Sequence, residues 1–529
     1  MNNFSIRLID LPDELILIIF KKLNNVELLY SLMNIDRQLD RILYDSIFTD
    51  CLTLTRSSFN GHINSLDNQI LDRLCRDILP KIHHKIQCLT VESLSMERIL
   101  LIGDYPNLHK LCLASMEEEK LRHLFNEENS LLKKFQHLST FHFSVFNKSV
   151  RVSYDLTRFV FKNMFKTFPR LINLQFHQLF NNDCFELSFG KEISIFSSCF
   201  LLELHITVCT STDFLCLLDG RFNALRHFYV YVRHFFLPSP DVDMKKKLNK
   251  MKRFSLTSNN STFFYNQTIL PLLHRMSNLK MLTLNIIIEE KKFVDGNCLN
   301  NDIINHLPKL NHFIFNIQSR IYDYNQTDIR SNEDIQNTFK SFQNHKINSY
   351  VDYFPEENFG QCHYYSYPYT MKNYGNISNH FSDGLFTCVT KISLFDERPF
   401  QHEFFLKISQ SFPFLEELTI NNLQSQNKKS DDDNNEHLPI IKYPHLTKLY
   451  LINAHDDYIE QFLLHSKSVL TNYISLSVRY YTLYTVTNDF TREETKINSA
   501  KIKHFFLAGR TIFSKDFREY FPNLKCNYY

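Results

Sequence analysis

The chain has 529 residues, 43% of them hydrophobic and 22% charged, a globular composition with room for several domains or one elongated repeat domain and a small attachment. Its 59 Lys and Arg nearly balance 57 Asp and Glu, for a net charge of +2, so no chain-wide field draws in nucleic acid or an anionic membrane. The most apolar stretch, Phe196 to Leu218, is broken by Glu203, His205 and Asp213, which leaves no uninterrupted run of roughly 20 apolar residues to span a bilayer.

The N-terminus lacks an apolar core of signal-peptide length, and acidic residues arrive at Asp10, Asp13 and Glu14, so the expected location is cytoplasm or nucleus. Twelve cysteines are scattered from Cys51 to Cys526 with no CxxC pair, a pattern of reduced thiols rather than a disulfide framework or zinc site.

The first predicted element is a helix over Leu11 to Leu23, LPDELILIIFKKL, entered through Pro12 with Asp13 and Glu14 at its positive end. Leu15, Ile19 and Leu23 recur at spacings of four beside Ile16 and Phe20, an apolar face too wide for a lone surface helix. A second helix is expected over Val26 to Met33, capped by Asn25, and a third around Arg37 to Leu43. Three short helices cannot form an independent core, so a partner or the following domain must cover their remaining apolar face.

LPxEL, then Ile-Phe, Leu23 and Glu27-Leu28 resemble the F-box pattern from its first residue to its second helix. The resemblance implies binding to the adaptor subunit of cullin-based ubiquitin ligases through Leu11, Pro12, Glu14, Leu15, Ile19, Leu23 and Leu28. The family's third-helix pattern fits Ile35, Arg37 and Leu39 with a one-residue offset, and the chain has no tryptophan, so the family's aromatic anchor is replaced by Leu39 or Gln38. The other reading of this segment is an ordinary helical cap on a repeat array.

From about residue 80 a hexapeptide with apolar first, fourth and sixth positions recurs, with starts at Ile86, Leu108, Leu138, Leu171, Leu201, Leu225, Met251, Leu279, Leu310, Val389, Leu415, Leu446, Tyr473 and Ile502. At this apolar content the bare pattern arises about forty times by chance, so the evidence lies in spacing and prefix. Outside the gap from Leu310 to Val389 the steps average about 28 residues, within the range of leucine-rich repeats. Seven of the fifteen prolines are followed two positions later by leucine. YPNLHKLCL from Tyr105, FPRLINLQF from Phe168, LPKLNHFIF from Leu307, FPFLEELTI from Phe412 and YPHLTKLYL from Tyr443 are the clearest copies. Helices are expected before several strands, as at Phe404 to Ser411 and Ile459 to Ser466.

Together these copies resemble an irregular leucine-rich-repeat solenoid. The implied fold class is α/β: a small three-helix F-box over 6–50, a helical connector or cap over 51–84, and a horseshoe solenoid over 85–317 and 389–529. An aromatic-rich insertion or degenerate repeats would fill 318–388. One long parallel sheet would line a concave surface roughly 60 Å long. Alternation puts His142, Gln175, His177, His205, Tyr229, Tyr231, Arg253, Asn285, Asn316 and Tyr450 on that face, where Tyr and Arg suit a protein ligand; any single one reads more readily as an ordinary solvated strand residue. Residues 318–388 gather Tyr350, Tyr353, Phe354, Tyr364, Tyr365, Tyr367 and Tyr369, either as a docking element over the concave face or as an insertion with its own core. Residues 424–437 read as a solvated loop.

Phosphate-cradling, serine-nucleophile and zinc-ligand motifs are absent, and there are nine glycines. No cofactor, metal or catalytic residue is expected. The sequence therefore points to a non-catalytic substrate-recognition subunit of an SCF-type ligase, with the adaptor, the cullin scaffold and an unknown protein target as partners. An interaction scaffold without ligase function, or less readily a hydrolase assembled across the repeats, are the other readings.

Overall fold

The computed structural model describes residues 7–57, 63–126, 129, 131–145, 154–178, 187, 196–237, 244–322, 329–342, 346–381, 384–426, 439–509 and 515–524. The chain is mixed α/β with large parallel sheets. It divides into two compact units, Met1–Ile288 with Cys298–Ile314, and Glu289–Asn297 with Phe315–Tyr529.

The first unit opens with helices α1 (Asp13–Phe20), α2 (Asn25–Leu32), α3 (Arg37–Leu43) and α4 (Ser46–Thr49). α1 is shorter than expected. The Pro12 carbonyl takes its first helical bonds, from the N–H groups of Leu15 and Ile16, and Leu23 lies in the turn beyond it. Asn24, not Asn25, caps α2, its side chain accepting from the N–H groups of Val26 and Glu27; Asn25 instead donates from Nδ2 to the Ile47 carbonyl at 3.1 Å. Ile16, Phe20, Leu28, Leu29, Met33, Leu39, Leu43 and Phe48 are buried, with Phe20 edge-on to Phe48 at 6.1 Å. The chain behind helps to hold them: Arg73 donates to the Met33 carbonyl and Lys85 to that of Tyr44.

Nine strands follow in hydrogen-bonded sequence order, all parallel: β1 (Cys51–Thr53), β2 (Cys88–Glu92), β3 (Lys110–Met116), β4 (Thr140–Val145), β5 (Asn173–Gln178), β6 (Glu203–Thr210), β7 (His227–His234), β8 (Arg253–Thr262) and β9 (Met281–Glu289). Each of β2 to β9 begins two residues after an expected hexapeptide start, with the fourth and sixth positions buried, as Leu204 and Ile206 are in β6. The segment 51–84 is not purely helical: it holds β1 and a short antiparallel strand pair as well as helices.

Two local devices repeat. Proline in the aromatic-Pro-x-Leu prefix occupies the second position of a tight turn, where its fixed φ is favourable; Leu108 N donates to Tyr105 O at 3.0 Å and Leu171 N to Phe168 O at 3.2 Å. In the first unit the carbonyl of each copy's second residue then accepts both the second and third N–H of the next copy. Gln87, His109, Ser139, Ile172, Leu202, Arg226, Lys252 and Lys280 do this in turn, at 2.8–3.1 Å. Asparagine adds a third tie where it precedes the first leucine or its equivalent: Asn107, Asn278, Asn472 and Asn523 each donate from Nδ2 to a carbonyl 23 to 29 residues earlier.

In the second unit Asn316–Tyr322 of β10 (His312–Tyr322) pairs antiparallel with β12 (Phe359–Ser366), which pairs antiparallel with β11 (Ile347–Phe354). A separate six-stranded parallel sheet follows: β13 (Asn373–Ile377), β14 (Lys391–Phe395), β15 (Glu417–Asn421), β16 (Lys448–Tyr450), β17 (Ile474–Arg479) and β18 (Ile502–Ala508). The expected single continuous parallel sheet is therefore replaced by two sheets, with antiparallel strands in the expected insertion. β13 lies inside 318–388 but belongs to the parallel ladder, since the Lys372 carbonyl receives the N–H groups of Thr390 and Lys391.

Of the insertion's rings, Phe354, Tyr364, Tyr365 and Tyr369 are buried and Tyr367 is exposed. Tyr365 and Tyr369 belong to a core shared with Tyr374, Phe386 and Phe412, so these two rings serve packing rather than a docking surface. The expected helices run His402–Ser411 and Asp456–Leu463. Tyr473 departs from its expected core position: it is 47% exposed while Ile474 is 1% exposed, because Ile474 N turns to the Lys501 carbonyl instead of joining Ser475 on that of Thr447. Most of 424–437 lies outside the described residues.

Candidate functional site

Two surfaces gather the expected site residues. The first is the outer side of α1. Leu15, Ile19 and Leu23 are 48%, 42% and 52% exposed, with Ile18 beside them at 56%. Pro12 and Glu14 are exposed and Leu11 is half-buried. Leu28 does not join them. At 3% exposure it packs inside the helices, because the opposite side of α2 is the one left open.

Beside this row lies a shallow groove of about 480 Å³ lined by Asp13, Glu14, Leu17, Ile18, Arg41, Ile42 and Asp45. Asp13 holds the first and third helices together, accepting from Gln38 Nε2 at 2.9 Å and from Arg41 Nη2. Leu39 is buried, Gln38 is half-buried and Ile35 is 63% exposed, so of the two residues expected at the aromatic position only Leu39 lies in the core.

The second surface is the polar side of the parallel strands. In the first unit the register sets His142, Gln175, His205 and Tyr229 in one row across β4 to β7. All four are half-buried, as are Tyr231 and Asn285, and Arg253 is exposed. His177 lies on β5 opposite Ser144, with its side chain outside what is described. His205 and Tyr229 stack at 4.1 Å and 12°.

Glu203, in the next row, accepts from His205 Nε2 at 2.6 Å and His227 Nδ1 at 3.2 Å. Burial raises the Glu203 carboxyl pKa, but the two histidine contacts together outweigh it and hold the carboxyl below its usual range. In the second unit Glu417 accepts from Lys448 Nζ at 2.8 Å and Lys391 Nζ at 3.1 Å. Burial raises its pKa too, and the lysines reverse the shift. Tyr450 sits beside it, half-buried, its hydroxyl pushed up to about 12 by burial and by Glu417.

Asn316 is a correction. It is 5% exposed and its Oδ1 accepts from His363 Nε2 at 2.6 Å, because both sides of β10 are covered from Phe315 to Ser319. Glu203, His227, Glu417 and Lys448 are face residues that the sequence reading passed over. They occupy the hexapeptide's third position, which the apolar pattern leaves unspecified. Among the described residues no group of three or more His, Cys, Asp or Glu could hold a metal ion, and no helix is long and apolar enough to cross a membrane. No protein-family model matches this chain, and no curated protein matches its sequence.

Proposed function

We propose that this chain is the non-catalytic substrate-recognition subunit of an SCF-type cullin-RING ubiquitin ligase. Its N-terminal helices act as an F-box that binds the adaptor, and its repeats form a leucine-rich-repeat-like solenoid that binds a protein target. The observation that carries the reading is the row Leu15, Ile18, Ile19 and Leu23, apolar and 42–56% exposed along α1 and the turn that follows it. Apolar surface of that kind is stabilised by burial against a partner, at roughly 25 cal/mol per Å². The reading of the repeats is supported by hexapeptides that begin parallel strands in sequence order and by the shared-carbonyl bond that recurs between them.

In this role the protein supplies geometry. Holding a target near the ligase's catalytic partner raises its effective concentration there. The site of action would be cytoplasm or nucleus.

Pull-down with the ligase adaptor tests the reading. The wild type should bind, and Leu15→Asp with Ile19→Asp should weaken binding at least tenfold, since two partly exposed side chains at about 1 kcal/mol each amount to more than a factor of ten. A wild type that does not bind the adaptor sinks the ligase reading. It would favour the scaffold, which the lack of an aromatic residue at Leu39 or Gln38 also suits.

A further inference from the structure

The first unit carries a charge concentration that the near-neutral composition conceals. The second residues of three successive copies are Arg226, Lys252 and Lys280, all exposed. They are consecutive steps of the shared-carbonyl column, with Lys252 N on Arg226 O at 2.8 Å and Lys280 N on Lys252 O at 2.9 Å. A strand separation of about 4.8 Å therefore sets three cations across roughly 10 Å. Arg253 adjoins Lys252, and Lys250 and Lys309 stand in the preceding turns, all three exposed.

Arg226, Lys250, Lys252, Arg253 and Lys280 form no ion pair with a described residue, and Lys309 donates to the neutral Asn278 Oδ1 at 2.6 Å. The carboxylate in register with Arg253 across the sheet, Glu203, is occupied by His205 and His227. Like charges side by side on neighbouring strands oppose folding, and an anion laid along them would relieve that repulsion.

We propose that this column docks an acidic segment of a protein partner, a short stretch with clustered Asp and Glu carboxylates. The column is bounded: the equivalent second residues before it are Ile172 and Leu202, and after it Asn311. A run of about 10 Å meets a few carboxylates of a peptide, whereas nucleic-acid binding draws on charges neutralised along a longer phosphate track. The stacked His205 on β6 and Tyr229 on β7 offer the peptide an aromatic contact. This inference rests on the proposed function only in taking the segment to belong to the ligase target.

The test is fluorescence anisotropy of the full chain with a labelled twelve-residue peptide containing six glutamates. The acidic peptide should bind, weaken as salt rises, and lose at least tenfold with Arg226→Glu, Lys252→Glu and Lys280→Glu, while its glutamine counterpart should not bind. Lys442→Glu, an exposed change in the second unit, should leave binding unchanged. Lys252→Ala alone should weaken it about threefold, a milder change that guards against misfolding of the triple variant.

An acidic peptide that does not bind, or binds the triple variant equally, overturns the proposal. So does tighter binding of a twelve-nucleotide RNA or of phosphatidylserine vesicles that the triple variant abolishes. Adaptor pull-down separates the two claims. A chain that binds the peptide but not the adaptor fails as a ligase subunit while keeping this site.

Discussion

Strands β6 and β12 are each eight residues long, yet burial treats them differently. Along ELHITVCT only Leu204, Ile206 and Val208 are buried, every second residue, whereas along FGQCHYYS all eight are. In β6 the polar positions form a half-open face. In β12 the polar positions Gln361 and His363 are enclosed and bonded instead: Arg320 Nε donates to Gln361 Oε1 at 3.3 Å, and His363 donates to Asn316. Alternation of polarity thus reports which side of a strand is more polar, and only the neighbours decide whether that side is wet.

The comparison can be attacked at four points. The largest effect should come from the interior behind the first unit's strands: Phe141→Ala removes a fully buried ring packed 5.0 Å from Phe168 and 5.6 Å from Phe143, and should cost about 3–5 kcal/mol in urea unfolding. A loss under about 1 kcal/mol would mean that the core readily collapses around the gap.

Acid should next distinguish the enclosed polar side. Burial, with Arg320 nearby, lowers the His363 pKa to about 3. Its neutral form therefore favours the fold above the unfolded-state value of about 6.5, and that contribution disappears as pH falls toward the folded value, by up to about 1.4 kcal/mol per unit. The wild type should lose more stability than His363→Gln between pH 7 and pH 5. Equal losses would place His363 in contact with water.

Gln318→Ala should cost about 1–3 kcal/mol. It strands the Gly375 carbonyl, which Gln318 Nε2 reaches at 2.7 Å, and Asn376 Nδ2, which reaches Gln318 Oε1 at 3.0 Å. The smallest effect belongs to the open face, where Gln175→Ala should change stability by no more than about 0.5 kcal/mol. A Gln175 cost equal to that of Gln318 would erase the distinction between the two regions.

The same distinction explains what the sequence made legible. The hexapeptide located β2 to β9 because Leu, Ile, Val, Met and Phe at its first, fourth and sixth positions face one interior. β1 escaped notice because its first position is Thr49, fully buried, with its hydroxyl donating to the Asp45 carbonyl at 3.1 Å. A hydroxyl satisfied by the backbone fills an apolar slot that a polarity count rejects. Asn316 was misplaced because its cover, His363, comes 47 residues later. Leu28 shows the converse. Its motif position was readable, whereas its burial depends on how α2 rolls against its neighbours, which one helix cannot reveal.

The shared-carbonyl column bears on how such a chain can change without losing its fold. The first unit's copies from Leu108 to Leu310 find their places by handing two backbone N–H groups to the copy before, a match that no side chain has to make. The segments between strands are then free to lengthen, at about 0.6 kcal/mol for each doubling of a flexible loop, while a one-residue deletion inside a hexapeptide would exchange its two faces. Inheritance can therefore vary the lengths around a fixed ladder, keeping the ends of the strands aligned while the surfaces they carry diverge.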